Sequence, residues 1–260
     1  MKLQEKKSGF KELLDAGKEY YEIRLESVGG LGANLLGKML GELGLKYLGV
    51  NSSSFSSYGS EKTGTPVKGF VRYCKKEKEI RLHSPIMEPD LLVVFHQALL
   101  KDESVWKGDS SDTKVIVAIE AGQQEISFPR GEIYGIEAQK IAMETHSRIN
   151  MVMLGAVLKM LGEDSPEAGE KICRDTLGKK YPESLQGNLE GIRRGYEEVR
   201  EFYHFRCKNG LREKEEHFYT ENQSKGGQKP VDVTSQNQPK WGYLNAPIGG
   251  INPHLGNSVT

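Results

Sequence analysis

Two short stretches of the sequence are apolar at every position, and they constrain the fold more than any other feature. They are Leu91–Phe95 and Val115–Ile119. Apolar residues on both faces are typical of a central parallel strand that helices cover on either side. Helical patterns alternate with further short apolar runs along the chain. We therefore predict an α/β fold with a mostly parallel sheet flanked by helices.

The chain also carries the pattern of a strand, a turn and a helix near its beginning. From Tyr21 onwards Ile23 and Leu25 alternate with charged residues, which predicts a strand of period two. A glycine-rich turn follows, and apolar residues at helical spacing predict a helix over Ala33–Leu43. Similar patterns predict further strands at Leu45–Val50, Val67–Cys74 and Glu132–Ile136.

After residue 137 the chain is predicted to be helical, up to about Tyr203. The segment Ile149–Leu161 is apolar almost all round, which indicates a buried helix or a contact with another subunit. Gly155 and Ala156 within it would permit another helix to approach closely. A further helix is predicted from Glu183 to about Tyr203, with many charges along its later turns.

Composition divides the chain into three parts. Residues 1–20 are predicted to be an N-terminal arm, residues 21–205 the α/β domain, and residues 206–260 a charged segment with an extended C-terminal tail. The tail is too poor in apolar residues to form a core of its own. It nevertheless contains Trp241, Tyr243, Leu244 and Ile248. Two interpretations stay open, a flexible extension and an arm that lies on a partner chain.

Charge and hydropathy exclude several classes of protein. The chain has 36 basic and 36 acidic residues, without the basic excess typical of nucleic-acid binders. No apolar run approaches the ~18 residues that span a bilayer. The first residues are charged and lack the apolar core of a secretory signal. We expect a soluble, cytoplasmic protein that binds neither nucleic acid nor membrane.

The cysteines and histidines do not form a recognisable metal or catalytic motif. Cys74, Cys173 and Cys207 are far apart in the sequence, whereas metal sites commonly use closely spaced pairs. The six histidines are scattered, which favours surface or hydrogen-bonded roles. We therefore predict no metal, no cofactor of its own and no catalytic residue in this chain.

The glycine-rich turn Val28-Gly29-Gly30-Leu31-Gly32 is the main candidate for binding. A glycine turn between a strand and a helix exposes backbone N–H groups at the positive end of the helix dipole, which suits a phosphate. A complete dinucleotide motif would have glycine where Ser27 stands. It would also have an acidic residue where Asn51–Ser54 stand. Phosphate binding and tight packing of the strand against the helix both remain open.

A second polar cluster, Tyr58–Thr65, leads into the strand that contains Arg72. In this order and spacing the two clusters resemble the γ subunits of pyruvate:ferredoxin-type 2-oxoacid oxidoreductases. Those subunits carry a GxGGxG-like turn and, some thirty residues later, a YGxExRGG-type loop. The resemblance covers about residues 21–203, and it includes three further segments: Pro89–Val93, Asn150–Ala156 and Asn188–Glu197.

The resemblance implies a subunit of a larger redox enzyme. In that family the complex decarboxylates a 2-oxoacid, commonly forms an acyl-coenzyme A and passes electrons to ferredoxin or a similar acceptor. Thiamine diphosphate and Mg²⁺ lie between the α and β subunits, and the β and δ subunits hold [4Fe–4S] clusters. The γ subunit would have the α, β and δ subunits as its partners and would hold no redox group.

The resemblance also implies a position for coenzyme A. In single-chain relatives the glycine turn and the lysine-containing second loop lie near the coenzyme A phosphates. Transferred to this sequence, the expected contacts are Gly29, Gly30, Gly32, Ala33 and Asn34, with Lys62 as a cation. Some relatives have a lysine after the Gly-Ala-Asn run, where this chain has Leu35. Two alternatives stay open: an independent nucleotide- or coenzyme-binding enzyme, and a purely structural scaffold.

Overall fold

The chain alternates strands and helices from its first described residue. The computed structural model describes residues 10–58, 66–122, 132–202, 207–208 and 211–212. The strands are β1 (Tyr21–Val28), β2 (Asn51–Tyr58), β3 (Pro66–Cys74), β4 (Leu91–Val94), β5 (Lys114–Ala118), β6 (Glu132–Ile136), β7 (Arg200–Phe202), β8 (Cys207–Lys208) and β9 (Leu211–Arg212). The α-helices are α1 (Phe10–Asp15), α2 (Ala33–Leu43), α3 (Glu103–Trp106), α4 (Ala138–Glu144), α5 (Ile149–Met160), α6 (Glu167–Leu177) and α7 (Pro182–Glu198). Two other helical segments are a π-helical turn, Gly44–Leu48, and a 3₁₀ helix, Gln97–Lys101.

Seven strands form one sheet in the order β2-β3-β1-β4-β5-β6-β7. The pairs β1–β4, β4–β5 and β5–β6 are parallel, and β3 and β7 run against their neighbours. Five of the seven strands therefore point the same way. The predicted α/β fold with a mostly parallel sheet is confirmed. β8 and β9 pair only with each other within the described residues.

The two faces of the sheet are covered unequally. Among the described residues, one face packs mainly against α1, α2 and α5, and α4, α6 and α7 pack on those helices. The buried strand residues of this face include Ile23, Leu25, Leu91, Val93 and Ile116. The other face buries Leu92, Val94, Val115, Val117 and Ile133 under the segment that contains the 3₁₀ helix and α3. Both fully apolar runs of the sequence thus lie in strands that are buried on both sides.

Two predicted element boundaries are wrong. Leu45–Val50 is not a strand, because α2 continues into the π-helical turn and β2 begins only at Asn51. The last long helix ends at Glu198 rather than near Tyr203. The chain then returns as β7, which pairs antiparallel with β6 and places Phe202 in the core. In both places a neighbouring strand or helix overrides the local pattern.

Glycines allow α5 and α7 to pack with their backbones almost in contact. A Cβ atom on Gly155 would lie 2.0 Å from the carbonyl oxygen of Ile192, and one on Gly195 would lie 2.0 Å from that of Val152. The close approach predicted at Gly155 is therefore confirmed. Nearly all of α5 is buried, as expected of a helix inside the core. The segments Asn150–Ala156 and Asn188–Glu197 therefore face each other in this contact.

The structure describes part of the predicted N-terminal arm and little of the predicted C-terminal segment. Within residues 1–20, α1 contributes Phe10 and Leu14 to the core, and the ring of Phe10 contacts those of Tyr21 and Tyr73. All described residues belong to one unit, Met1–Glu215. Of the predicted C-terminal segment 206–260, the structure describes only residues 207–208 and 211–212. None of the described helices combines the length and apolar character needed to cross a bilayer.

Candidate functional site

The glycine turn connects the carboxyl end of β1 to the first turn of α2. Gly30 has φ +102° and Gly32, which precedes the helix, has φ +84°. Both values lie in the left-handed region that glycine adopts at little cost. No side chain caps α2, so its first backbone N–H groups are not satisfied by a cap. This arrangement, at the carboxyl edge of a parallel sheet, is one that binds anions in α/β proteins.

Gly32 and Gly30 are required for different reasons. Asn150 is 1% exposed, and its Nδ2 donates a hydrogen bond of 3.3 Å to the carbonyl oxygen of Gly32. A Cβ atom on Gly32 would lie only 2.6 Å from that nitrogen, whereas one on Gly30 would meet no atom of the described residues within 4 Å. Tight packing therefore explains Gly32, while the described residues leave space beside Gly30.

The remaining predicted site residues lie at the same turn or outside the described residues. Ala33 is buried, and Asn34 accepts a hydrogen bond of 3.1 Å from the hydroxyl of Ser56 in β2. Gly29 is half-buried between β1 and Gly30. The structure thus brings five of the six residues together. Lys62 and the neighbouring Glu61 fall in the segment 59–65, outside the described residues.

The serines that replace an acidic ribose contact belong to β2, and two of them, Ser52 and Ser54, face α2. The hydroxyl of Ser52 donates to the carbonyl oxygen of Gly41, and a Cβ atom on Gly41 would lie 2.7 Å from the hydroxyl oxygen of Ser54. These small side chains let the helix lie close to the strand. The serine run is therefore explained by packing and hydrogen bonding.

Other polar groups at this edge of the sheet are engaged in local hydrogen bonds. The Nδ1 of His96 accepts a bond of 3.1 Å from the backbone N–H of Ala98, at the start of the 3₁₀ helix. Glu137 accepts a bond of 3.0 Å from the N–H of Gly122. That bond and the ion pair with Lys140 lower the pKa of Glu137. His96 is thus hydrogen-bonded, as predicted for the histidines.

A buried cluster of charges lies on the face of β1 opposite to Ile23 and Leu25. The sequence pattern did not predict this cluster. The Arg24 guanidinium donates to the carbonyl oxygens of Met87 (2.9 Å), Lys107 (3.1 Å) and Val105 (2.6 Å). It also donates to the carboxylate of Asp109 at 3.2 Å. Charged residues that alternate with apolar ones are common on the solvent-facing side of a strand. Instead, Arg24 is 3% exposed. Its hydrogen bonds connect the segments at Met87 and Val105 to the sheet.

Glu26 belongs to the same cluster and is also buried. Its Oε1 lies 3.2 Å from Nε of Arg24 and 3.1 Å from Nζ of Lys68. Burial raises the pKa of Glu26 to about 7, and the attraction of Lys68 and Arg24 opposes that rise. A buried carboxyl group with this pKa holds its proton more tightly in the folded chain than in the unfolded one.

We expect Glu26 to make the folded chain less stable as pH rises. Its pKa is about 7 when folded, against 4.5 for an ordinary glutamate. Its contribution is therefore fully present below pH 4.5 and is lost as pH rises to about 7. Replacing Glu26 with glutamine should remove this dependence. Thermal unfolding at pH 5 and pH 8 should show the wild type losing on the order of 2 kcal/mol relative to Glu26→Gln.

The exposed Glu77, altered to glutamine, serves as the control for this measurement. The variant Glu77→Gln should follow the wild type at both pH values. An equal change between pH 5 and pH 8 in the wild type and in Glu26→Gln would contradict the assignment.

A second cavity lies at the other end of the parallel strands and does not suit an anion. It has a volume of about 460 Å³ and is bordered by Glu88, Asp90, Asp109 and Asp112, with Lys18 among them. Asp90 and Asp112 come just before β4 and β5, whereas the glycine turn follows β1. Carboxylates repel phosphate, so the glycine turn remains the candidate site.

The described cysteines lack the surroundings of reactive or metal-bound thiols. Cys74 and Cys173 are both buried, and burial raises the pKa of Cys173 to about 11. Across residues 10–58, 66–122 and 132–202, no three histidine, cysteine or acidic side chains are grouped so that they could hold a metal ion. These side chains therefore do not fit an iron–sulfur cluster.

Comparison with known proteins adds a family to this geometry. The sequence matches the family described as pyruvate ferredoxin/flavodoxin oxidoreductase over residues 22–198. It is 34% identical to the pyruvate synthase subunit PorC of Thermotoga maritima, over 72% of this chain and 98% of that protein. It is 32% identical to the pyruvate/ketoisovalerate oxidoreductases common subunit gamma of Pyrococcus abyssi, over 70% of this chain and 98% of the other.

Solved structures agree with these sequence matches. The crystal structure of the pyruvate oxidoreductase subunit PORC from Thermotoga maritima superposes with a TM-score of 0.59 at 30% identity, covering 70% of this chain and 98% of that one. A 2-oxoglutarate:ferredoxin oxidoreductase from Magnetococcus marinus superposes with a TM-score of 0.58 at 22% identity, covering 74% of this chain and 34% of that one. The second likeness shows the fold alone.

Proposed function

Since the chain belongs to the pyruvate ferredoxin/flavodoxin oxidoreductase family, we propose that it is the γ subunit of a multi-subunit 2-oxoacid:acceptor oxidoreductase. One observation carries the proposal: the matching region spans 98% of a relative named as a single subunit of pyruvate synthase. The match therefore covers a whole subunit rather than a shared fragment. Partner subunits of the α, β and δ types would complete the enzyme.

The names of the relatives support a role that is independent of the 2-oxoacid. One relative is named a common subunit of pyruvate and ketoisovalerate oxidoreductases. Another, 30% identical, is the γ subunit of an NADH-dependent phenylglyoxylate dehydrogenase. A subunit common to two oxidoreductases does not itself select between their 2-oxoacids. We infer that this chain is non-catalytic and that its partners bind the 2-oxoacid.

We also assign the redox groups to the partner subunits. Thiamine diphosphate with Mg²⁺ would supply the decarboxylation chemistry between the α and β subunits, and [4Fe–4S] clusters would carry electrons to ferredoxin or a similar acceptor. The described residues of this chain offer no cluster of metal ligands. We propose that the complex acts in the cytoplasm.

Coenzyme A is the ligand proposed for the glycine turn. The open space at Gly30 and the uncapped start of α2 suit a phosphate group. Gly29, Gly32, Ala33 and Asn34 would shape the same seat, and Lys62 would contribute a cation. The buried Oδ1 of Asn150, on the side chain that holds Gly32 in place, has no hydrogen-bond partner among the described residues.

Co-purification tests the subunit assignment directly. A tagged chain isolated from its own cells should bring down partner chains that together oxidise a 2-oxoacid and contain iron and thiamine diphosphate. Purification of the chain alone, with turnover of a coenzyme or nucleotide, would instead indicate an independent enzyme.

Replacing Gly30 with aspartate should weaken coenzyme A binding in the assembled enzyme. The new carboxylate would repel a phosphate and occupy the space in front of the helix. We expect the KM for coenzyme A to rise roughly tenfold, as for the loss of about 1.4 kcal/mol. The decarboxylation half-reaction without coenzyme A should be nearly unchanged.

Gly17→Asp is the matched control for this variant. Gly17 has φ +107° and, like Gly30, would place its Cβ atom where nothing lies within 4 Å. Both variants therefore carry similar backbone strain, but only one lies at the glycine turn. Equal KM values for Gly30→Asp and Gly17→Asp in intact complexes would favour the alternative, a structural scaffold whose turn only packs.

A further inference from the structure

A cleft between the first residues of α5 and α7 and the last residues of α6 has groups that the proposed function does not use. Its volume is about 210 Å³. Leu35 and Leu177 form apolar parts of its wall, and the polar lining includes Arg148, Thr176, Lys180 and Asn188. The cleft thus combines an apolar surface with cationic and neutral polar groups.

The two cations at the cleft are not neutralised by nearby acids. Among the described side chains, neither Arg148 nor Lys180 has a carboxylate within ion-pair distance, whereas Arg193 and Arg194 each have two. The Arg148 guanidinium lies 5.8 Å from the ring centroid of Tyr181, which is within the range of a cation–π contact. That contact holds Arg148 near the start of α7.

Two helix starts add positive potential at the same place. Arg148 directly precedes α5 and Tyr181 directly precedes α7, and neither helix has a side-chain cap. The helices are 12 and 17 residues long, so each carries a full dipole with its positive end at this cleft.

Two buried polar atoms in the wall of the cleft lack partners. Asn188 is 1% exposed, and neither its Oδ1 nor Oγ1 of Thr176 has a hydrogen-bond partner among the described residues. A hydroxyl group can donate a hydrogen bond, and so can an amide once its two terminal atoms exchange places. Buried polar groups are normally paired. These two atoms therefore favour a bound ligand in the cleft as their partner.

We propose that this cleft binds a phosphate-class anion between Arg148 and Lys180, with the hydroxyl of Thr176 and the amide of Asn188 as donors. The cleft adjoins the glycine turn through Leu35 in the first turn of α2, but its four proposed contacts lie outside that turn. The proposal does not depend on what the turn binds.

Thermal unfolding of the purified full chain in inorganic phosphate tests the site. Sodium chloride at equal ionic strength corrects for screening. We expect a saturable rise in Tm with phosphate, and an at least tenfold weaker midpoint in the double variant Arg148→Gln/Lys180→Gln. Lys179→Gln removes a positive charge from an exposed neighbour that does not line the cleft, and it should bind as the wild type does. No rise above the chloride control, or equal midpoints in both variants, would overturn the proposal.

Thr176→Val separates binding from a structural role. Without phosphate the valine variant should be at least as stable as the wild type, since it removes an unpaired buried hydroxyl. In phosphate it should gain less stability than the wild type. A variant that loses stability without phosphate and binds it normally would show that the hydroxyl serves the fold alone.

Adenosine monophosphate distinguishes a phosphate ester from free phosphate as the ligand. Tighter binding of the nucleotide than of inorganic phosphate, weakened again by Arg148→Gln/Lys180→Gln, would identify an ester. Equal binding of both would identify the free anion. Binding of the nucleotide that the double variant leaves unchanged would contradict the assigned cleft.

Discussion

Replacing Arg24 with methionine is expected to destabilise the chain by about 3–5 kcal/mol, the usual cost of breaking a buried ionic network from one side. Methionine fills a similar volume but donates no hydrogen bond. The carbonyl oxygens of Met87, Val105 and Lys107 would lose their donor, and the bond to Val105 is buried. Urea unfolding of the purified chain, with the slope of the transition compared between variants, measures this loss.

The control for Arg24→Met is the same substitution at Arg81. Arg81 pairs with Glu79 on the surface, and its side chain is 86% exposed. Exposed pairs contribute about 0–1 kcal/mol, so Arg81→Met should unfold close to the wild type. If both variants lost the same small amount, the guanidinium of Arg24 would not be what fastens the loops.

Replacing Gly195 with alanine is expected to cost about 3 kcal/mol or more, although alanine favours a helix. The added methyl group would meet the carbonyl oxygen of Val152 at 2.0 Å, and a backbone atom cannot turn aside as a side chain can. Overpacking of a core typically costs 1–3 kcal/mol and sometimes more, here about 3 kcal/mol. The helices α5 and α7 would have to separate, which should lower Tm and broaden the transition.

Gly37→Ala provides a control with the opposite expected sign. Gly37 lies inside α2, where a new methyl group would contact Leu25 Cδ1 at an ordinary 3.5 Å. Helix propensity alone should then stabilise the chain by up to about 1 kcal/mol. Similar losses at Gly37 and Gly195 would mean that glycine serves both helices in some way other than close approach.

The parts of the fold that sequence predicts well are those with one dominant local signal. The apolar runs at Leu91 and Val115 became central strands, and the nearly uniform helix from Ile149 became the buried α5. In these segments almost every residue points to the same answer. The glycine turn was likewise predicted from its own residues. Gly30 and Gly32 have left-handed backbone, which glycine adopts at little cost.

The parts that sequence misses depend on distant segments. No residue near Arg24 in the sequence indicates that the segments at Met87 and Val105 will accept hydrogen bonds from its side chain. Alternation with charges is usually a sign of a half-exposed strand, and β1 departs from it because a second layer closes over its polar side. Phe202 likewise joins the core only because β6 offers it a partner strand. The cleft beside Asn188 is invisible in the sequence for the same reason.

The unequal covering of the sheet also determines how the molecule opens. In the described part of the chain, three helices contact one face and three more pack on them. The other face is covered mainly by the segment from Gln97 to Trp106 and by the segments that Arg24 holds. We expect amide hydrogens beneath the helices to exchange with solvent only when the whole domain unfolds. The segment Gln97–Trp106 on the other face, the thin side, can detach in a smaller fluctuation. Proteases and deuterium would therefore enter from the thin side first, and a subunit docked there would slow both.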